Sequence, residues 1–214
     1  MKNNILWLLI KNYFCSFYLV ELNSLNGVKI VEDNELDISL HHGTTSSSAD
    51  GIYKMGFKHS TKKNEWLGYG VYFFEKYSDA KWWSELEVKK PQNTNEFPEV
   101  LTVDVSCPTE SFFDLDCEKN MNILEKEMRA VFNSLGKNGC GAPIFEDDAQ
   151  LRCFCCNLYR KQHTNIKVMA FSFPTGKIVY NFLGFSTPII RRQYCVNDNS
   201  VIALRKREVI DYAI

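Results

Sequence analysis

Long apolar runs are scarce in this 214-residue chain. Near the start, Lys2 precedes Ile5-Leu6-Trp7-Leu8-Leu9-Ile10, but the run stops at Lys11-Asn12 and no small-residue cleavage site follows. Six residues are far short of the roughly 20 that cross a bilayer, and the flanks do not fit a secretory leader. The expectation is a cytoplasmic protein with no membrane association, residues 1-28 forming an N-terminal extension. An excess of either charge is also missing: 25 Lys and Arg oppose 26 Asp and Glu, for a net charge of −1. Nothing in that balance favours tight nonspecific binding to nucleic acid. Repeats, low-complexity tracts and Pro/Gly/Ser linkers are absent too, so residues 29-214 read as one domain, long enough for its own core. No Walker loop, His-Glu-x-x-His, Gly-x-Ser-x-Gly elbow or dinucleotide glycine fingerprint occurs. Those absences remove the main rival enzyme classes.

Cysteine is plentiful, with eight residues, yet the chain is too long and the residues too scattered for a secreted disulfide framework. Cys153-Phe154-Cys155-Cys156 has no second Cys-x-x-Cys pair to complete a zinc site, and only Cys140 and His163 could join it by folding back. Buried free thiols in a reducing compartment are the expectation, with no metal. Two basic groups, Arg191-Arg192 and Arg205-Lys206-Arg207, read as a solvated strand end and a charged tail.

Hydrophobic periodicity outlines the fold. Lys29 to Val31 reads as a short strand. Leu36, Ile38 and Leu40 alternate with Asp37 and Ser39, a half-buried strand that places His42 on the leucine face and His41 on the other. Thr45-Ser46-Ser47-Ser48 caps a short helix carrying Ile52 and Met55 and closed by Gly56. Tyr69 to Phe74 is an apolar strand, and Ser78-Asp79 caps a helix running to Glu87. Val100 to Val105 is a strand, Asn122 to Phe132 a helix stopped by Gly136, and Lys167 to Phe173, Gln193 to Val196 and Ser200 to Leu204 are strands. This order predicts an α+β domain on a mixed, mostly antiparallel sheet split into two packed halves, with short flanking helices.

Chemistry concentrates in Leu40-His41-His42-Gly43-Thr44, in Gly68-Tyr69-Gly70-Val71-Tyr72-Phe73 and in the helix after it. A histidine supplies a hydrogen-bonding edge, a glycine admits close backbone approach, and a tyrosine supplies a flat ring. Here the sequence resembles the poly(ADP-ribose) polymerase-like branch of the ADP-ribosyltransferases, the branch described by a His–Tyr–Glu triad. The resemblance covers residues 36 to 84 and, more thinly, 189 to 204. It implies an ADP-ribosyltransferase-like fold that takes NAD as substrate and uses no metal.

It further implies that His42 hydrogen-bonds the adenosine ribose and that the Gly43 backbone holds the nicotinamide carboxamide. Thr44 stands where the family has Ser or Thr. Gly70 and Tyr72 would frame the nicotinamide, whose cationic ring favours stacking. Trp82, in Ala80-Lys81-Trp82, would take the place of a second tyrosine if one residue is missing. The third triad position falls in Arg192-Gln193-Tyr194-Cys195-Val196, where Gln193 replaces the glutamate. A neutral amide can bond a ribose hydroxyl, but it stabilises an oxocarbenium charge weakly and is a poor base. Chain-forming polymerase activity is therefore disfavoured, and transfer of a single ADP-ribose to a protein or nucleic-acid acceptor stays open. Glu65, Glu75 and Asp104 are other carboxylates near the proposed pocket, with a solvated face as the default reading for each. The alternatives are an NAD- or ADP-ribose-binding module without catalysis, and an interaction protein using the Cys-rich middle segment.

Overall fold

A computed structural model describes residues 34–137, 143–182 and 185–211. Those residues form an α+β arrangement of seven strands and four main helices. The strands are β1 (Glu35–Thr45), β2 (Val71–Phe74), β3 (Pro98–Pro108), β4 (Phe112–Asp114), β5 (Val168–Phe182), β6 (Phe185–Val196) and β7 (Ile202–Val209). The helices are α1 (Ser46–Met55), α2 (Tyr77–Val88), α3 (Glu118–Lys137) and α4 (Asp148–Gln162). The sheet order is β4-β5-β6-β2-β1-β3-β7, and only the β4–β5 pair is parallel. The mixed, mostly antiparallel character expected from the sequence is therefore present. The strand expected at Lys29 to Val31 and the extension over residues 1-28 lie outside the described residues.

The strands form one sheet and not two packed halves; its narrowest join is a seam between β1 and β2. β1 pairs with β3 over eleven residues, but it pairs with β2 only at His41↔Phe74. On one face, Leu36, Ile38, Leu40, Val71, Phe73, Val103, Val105, Tyr194 and Val196 belong to a single apolar cluster. The opposite face carries the helices and two separate clusters. Phe74, Ala80 and Val100 pack under α2, while Met169, Phe173 and Cys195 pack with Leu124, Met128, Cys156 and Tyr159 of α3 and α4.

Local sequence explains the caps, and several boundaries differ from expectation. The Thr45 side chain accepts from the Ser48 N–H at the start of α1, and Gly56 at φ 78° ends the helix, both as its sequence predicts. Helix α2 begins at Tyr77 with no side-chain cap, because Asp79 turns instead to an ion pair. Gly136 does not stop α3, which runs to Lys137. β2 begins at Val71 and leaves Tyr69 in a loop, whereas β5 and β6 extend well beyond their expected ends. Helix α4 was not foreseen: Asp147 caps it by accepting from the Gln150 N–H, and it carries the cysteine triplet.

The first basic group is not a solvated end, and in the second Arg205 and Lys206 are exposed as expected, on β7, while Arg207 is not. Arg191 is buried, and Arg192 pairs with both Asp114 and Asp116, tying β6 to β4 and its following turn. Arg207 makes two bonds to the buried Glu99 carboxylate, at 2.5 and 2.8 Å, and a third to Asp50 on α1. Among the described residues, no helix is long and apolar enough to cross a membrane.

Candidate functional site

His42 follows the predicted parity. Its ring packs edge-on against Phe73 and Phe57, on the face of the leucines, while His41 turns to Tyr77 and Thr102 on the helical face. At the seam the His42 Nδ1 lies 2.7 Å from the Tyr72 carbonyl. A carbonyl only accepts, so Nδ1 carries the proton and Nε2 is left as an acceptor in the neutral ring. Burial lowers the His42 pKa and keeps it neutral, against the opposing pull of the Tyr72 carbonyl and of Glu87. The side chain thus bridges the place where the strands stop pairing.

The other candidates gather on the helical face. Tyr72 pairs with Cys195 and Phe74 with Gln193, so Tyr72 and Gln193 share that face. Gly43 belongs to it as well: a Cβ there would meet the Ala80 carbonyl oxygen at 2.0 Å. The close approach that makes position 43 a glycine is therefore made by helix α2 of the protein itself. Thr44 is buried beside it and pairs with Glu99. Gln193 is an interior residue of β6, only 8% exposed, and not a strand-end polar group. Trp82 reaches the same region from α2 and packs on the cluster of Phe74 and Ala80. Tyr72 and Gln193 thus share the helical face, Tyr72 on one of its apolar clusters and Trp82 on the other, while the His42 ring lies on the reverse.

The Gly68-Tyr69-Gly70 loop is held by groups that sequence patterns did not single out. The Tyr72 hydroxyl accepts from the Leu67 N–H at 2.7 Å and donates to the Gly68 carbonyl at 2.6 Å. Burial raises its pKa far above the ordinary range, so the phenol stays protonated. From α4, Asn157 accepts the Tyr69 N–H at 2.7 Å, and the buried Arg160 donates to the Leu67 carbonyl at 2.7 Å and to the Cys195 sulfur at 3.4 Å. A Cβ on Gly68, at φ 85°, would lie 2.3 Å from the Arg160 guanidinium, and one on Gly70 would lie 2.6 Å from the Cys195 sulfur. Both glycines are therefore required by contacts inside the protein. The loop fixes Tyr72 in turn, so its ring is preorganised and its hydroxyl is committed.

On the other side of Gln193 stands Arg191, on the same strand face. Its Nε lies 3.0 Å from the Asp79 carboxylate, and its guanidinium carbon sits 3.8 Å from the centre of the Trp82 ring. Burial raises the Asp79 pKa, and the attraction of Arg191 opposes that rise. Neither residue was among those expected at the site. The signal available was the odd spacing of Asp79-Ala80-Lys81-Trp82 and the arginine two positions before Gln193.

Two of the other carboxylates have partners of their own. Glu65 accepts from Ser60, and Asp104 pairs with Arg205. His163 pairs with Glu127 at 2.8 Å, away from the cysteines of α4. Among the described residues, no group of three or more His, Cys, Asp or Glu side chains could hold a metal ion. Cys140 lies outside the described residues. Compared with protein-family models and with curated proteins, the chain matches none.

Proposed function

We propose that this protein binds NAD, cleaves its nicotinamide N-glycosidic bond and transfers ADP-ribose to a macromolecular acceptor, protein or nucleic acid, without a metal. The observation that supports the reading is that Tyr72 and Gln193 share the helical face of β2 and β6, beside the seam, with Trp82 of α2 packed on the neighbouring cluster. A seam where strands stop pairing leaves backbone and side chains for a ligand, and rigid strands on both sides hold them. The finer fold assignment, an ADP-ribosyltransferase-like split sheet, belongs to the same proposal. It is supported by the single β1–β2 pair and by β2, which carries Tyr72 directly after Gly70.

In this reading Tyr72 and Trp82 provide aromatic faces for the nicotinamide ring, with Gly43, Thr44 and Gly70 shaping the backbone around it. The acceptor on His42 Nε2 suits a ribose hydroxyl that reaches it from the reverse of the sheet, where β1 and β2 part. The Gln193 amide would bond the ribose next to the reacting carbon, and nicotinamide would leave with the electrons of the broken C–N bond. The oxocarbenium that forms is met by a dipole and not by a charge, so the reaction is slow and ends after one transfer. The acceptor must be nucleophilic or bring its own base.

A second reading, an NAD- or ADP-ribose-binding module without catalysis, is favoured by Gln193 itself. Incubation of the full chain with NAD labelled in the adenosine half, with and without cell lysate, separates the two. The enzyme yields free nicotinamide and a labelled macromolecule. The binding module retains NAD intact, and absence of both outcomes counts against the family resemblance.

A further inference from the structure

The row of side chains between the two helical clusters is closed. Gln193, Arg191 and Asp79 are 8%, 6% and 9% exposed. What closes it is a cation seated on an aromatic face: the Arg191 guanidinium lies 3.8 Å from the Trp82 ring centre. That is stacking distance, and it leaves no gap for a second ring on that side of the indole.

We infer that the Trp82 ring and the Asp79 carboxylate form a seat for a flat, delocalised cation, and that Arg191 is its internal occupant, competing with the pyridinium ring of NAD. The inference rests on Trp82 being the nicotinamide plate, as proposed above. Three physical features support it. Guanidinium and pyridinium are both planar, weakly hydrated cations, so one ring face serves either. The exchange keeps the seat neutral, because Asp79 faces a cation before and after; a buried carboxylate left alone would oppose the change. The rest of the pocket is rigid, since Tyr72 is locked by its two hydroxyl bonds and by the loop that Asn157 and Arg160 hold. Arg191 is also placed to act on the chemistry, being two residues from Gln193 on the same strand face. NAD would therefore bind weakly to the resting protein, its apparent affinity reduced by the small fraction in which Arg191 has left the seat.

The test is calorimetric titration of the full chain with NAD, comparing the natural protein, Arg191→Lys, and the double variant Asp79→Asn/Arg191→Met. Lysine keeps a charge for Asp79 but gives up the planar stack, so its fold is preserved and the seat opens. The double variant removes both charges together and avoids an orphaned carboxylate. The expected result is NAD binding severalfold tighter in Arg191→Lys and no such gain in the double variant, which has lost the carboxylate half of the seat. If the natural protein binds NAD and Arg191→Lys binds no better, Arg191 is not a competing occupant and the inference is overturned, while the NAD reading stands. If neither the natural protein nor either variant gives heat at millimolar NAD, both fail.

Discussion

Arg160 and Arg191 are equally buried on the same face of the sheet, yet only Arg191 faces a carboxylate and an aromatic ring. Arg160 has no carboxylate within ion-pair reach among the described residues; its donors go to the Leu67 carbonyl, the Asn157 amide oxygen and the Cys195 sulfur. Arg191 has a carboxylate at 3.0 Å and an aromatic ring beneath it. Backbone carbonyls lie in fixed directions, so a guanidinium bonded to them belongs to the architecture. A ring face and a carboxylate accept any flat cation of suitable size. The Gly68–Gly70 end of the site is therefore built, and the Trp82 end is the one proposed above to be exchangeable.

The largest effect is expected from removing the Arg191 charge alone. Arg191→Met strands Asp79 in a buried position, and breaking such a pair from one side costs about 3–5 kcal/mol. Urea denaturation should show this loss, and adding Asp79→Asn should recover most of it, a coupling that a double-mutant cycle measures directly. Arg160→Met should cost about 3 kcal/mol through lost charge-assisted bonds and an unsatisfied carbonyl. No carboxylate waits to be neutralised there, so no single second change should rescue it. Rescue of both arginines, or of neither, would erase the distinction between the two ends.

A smaller effect separates glycines held by packing from those that are merely tolerated. Gly43→Ala would press a methyl group into the Ala80 carbonyl and push α2 off β1, at a cost of about 2–3 kcal/mol. Gly136→Ala, in α3 with nothing among the described residues within 4 Å of the added methyl, should instead stabilise by about 0.5–1 kcal/mol. Thermal melts of the two variants should move in opposite directions.

The smallest effect is on pH dependence. Burial holds the His42 pKa below its ordinary 6.5, with His41 shifted in the same sense. Below that value the unfolded chain binds more protons than the folded one, so stability is lost as pH falls from 6.5 toward the folded pKa. His42→Gln should flatten part of the slope of unfolding free energy against pH in this window. An unchanged slope would mean that burial does not hold the His42 ring neutral in the fold.

Local patterns carried a good part of this molecule. Alternation along Leu36, Ile38 and Leu40 assigned His41 and His42 to their faces, and Thr45 and Gly56 marked the ends of α1. What stayed hidden depends on partners distant in sequence. The strand pattern around Gly43 shows that the backbone comes close to something, but periodicity cannot say that the neighbour is helix α2. Helix α4 was obscured because its buried face is made of Cys153, Cys156 and Arg160 beside Leu151 and Tyr159, a mixture with little apolar contrast. Its Asn157 and Arg160 are what explain Gly68 and the fixed position of Tyr72. Arg191-Arg192 read as a solvated strand end because two adjacent arginines give no sign of the acidic residues waiting on α2, on β4 and on the turn after it.

The account stands or falls on where the reaction centre lies, and Gln193 marks it. Nicotinamide release from NAD, measured for the natural chain and for Gln193→Glu, tests this most directly. The two side chains are nearly isosteric, and the added carboxylate would restore a charge beside the oxocarbenium centre, worth about 2.7–4 kcal/mol where single electrostatic groups have been removed from enzymes. The account predicts release faster by about a hundredfold or more in Gln193→Glu. A folded Gln193→Glu protein that releases nicotinamide no faster than the natural chain would contradict it.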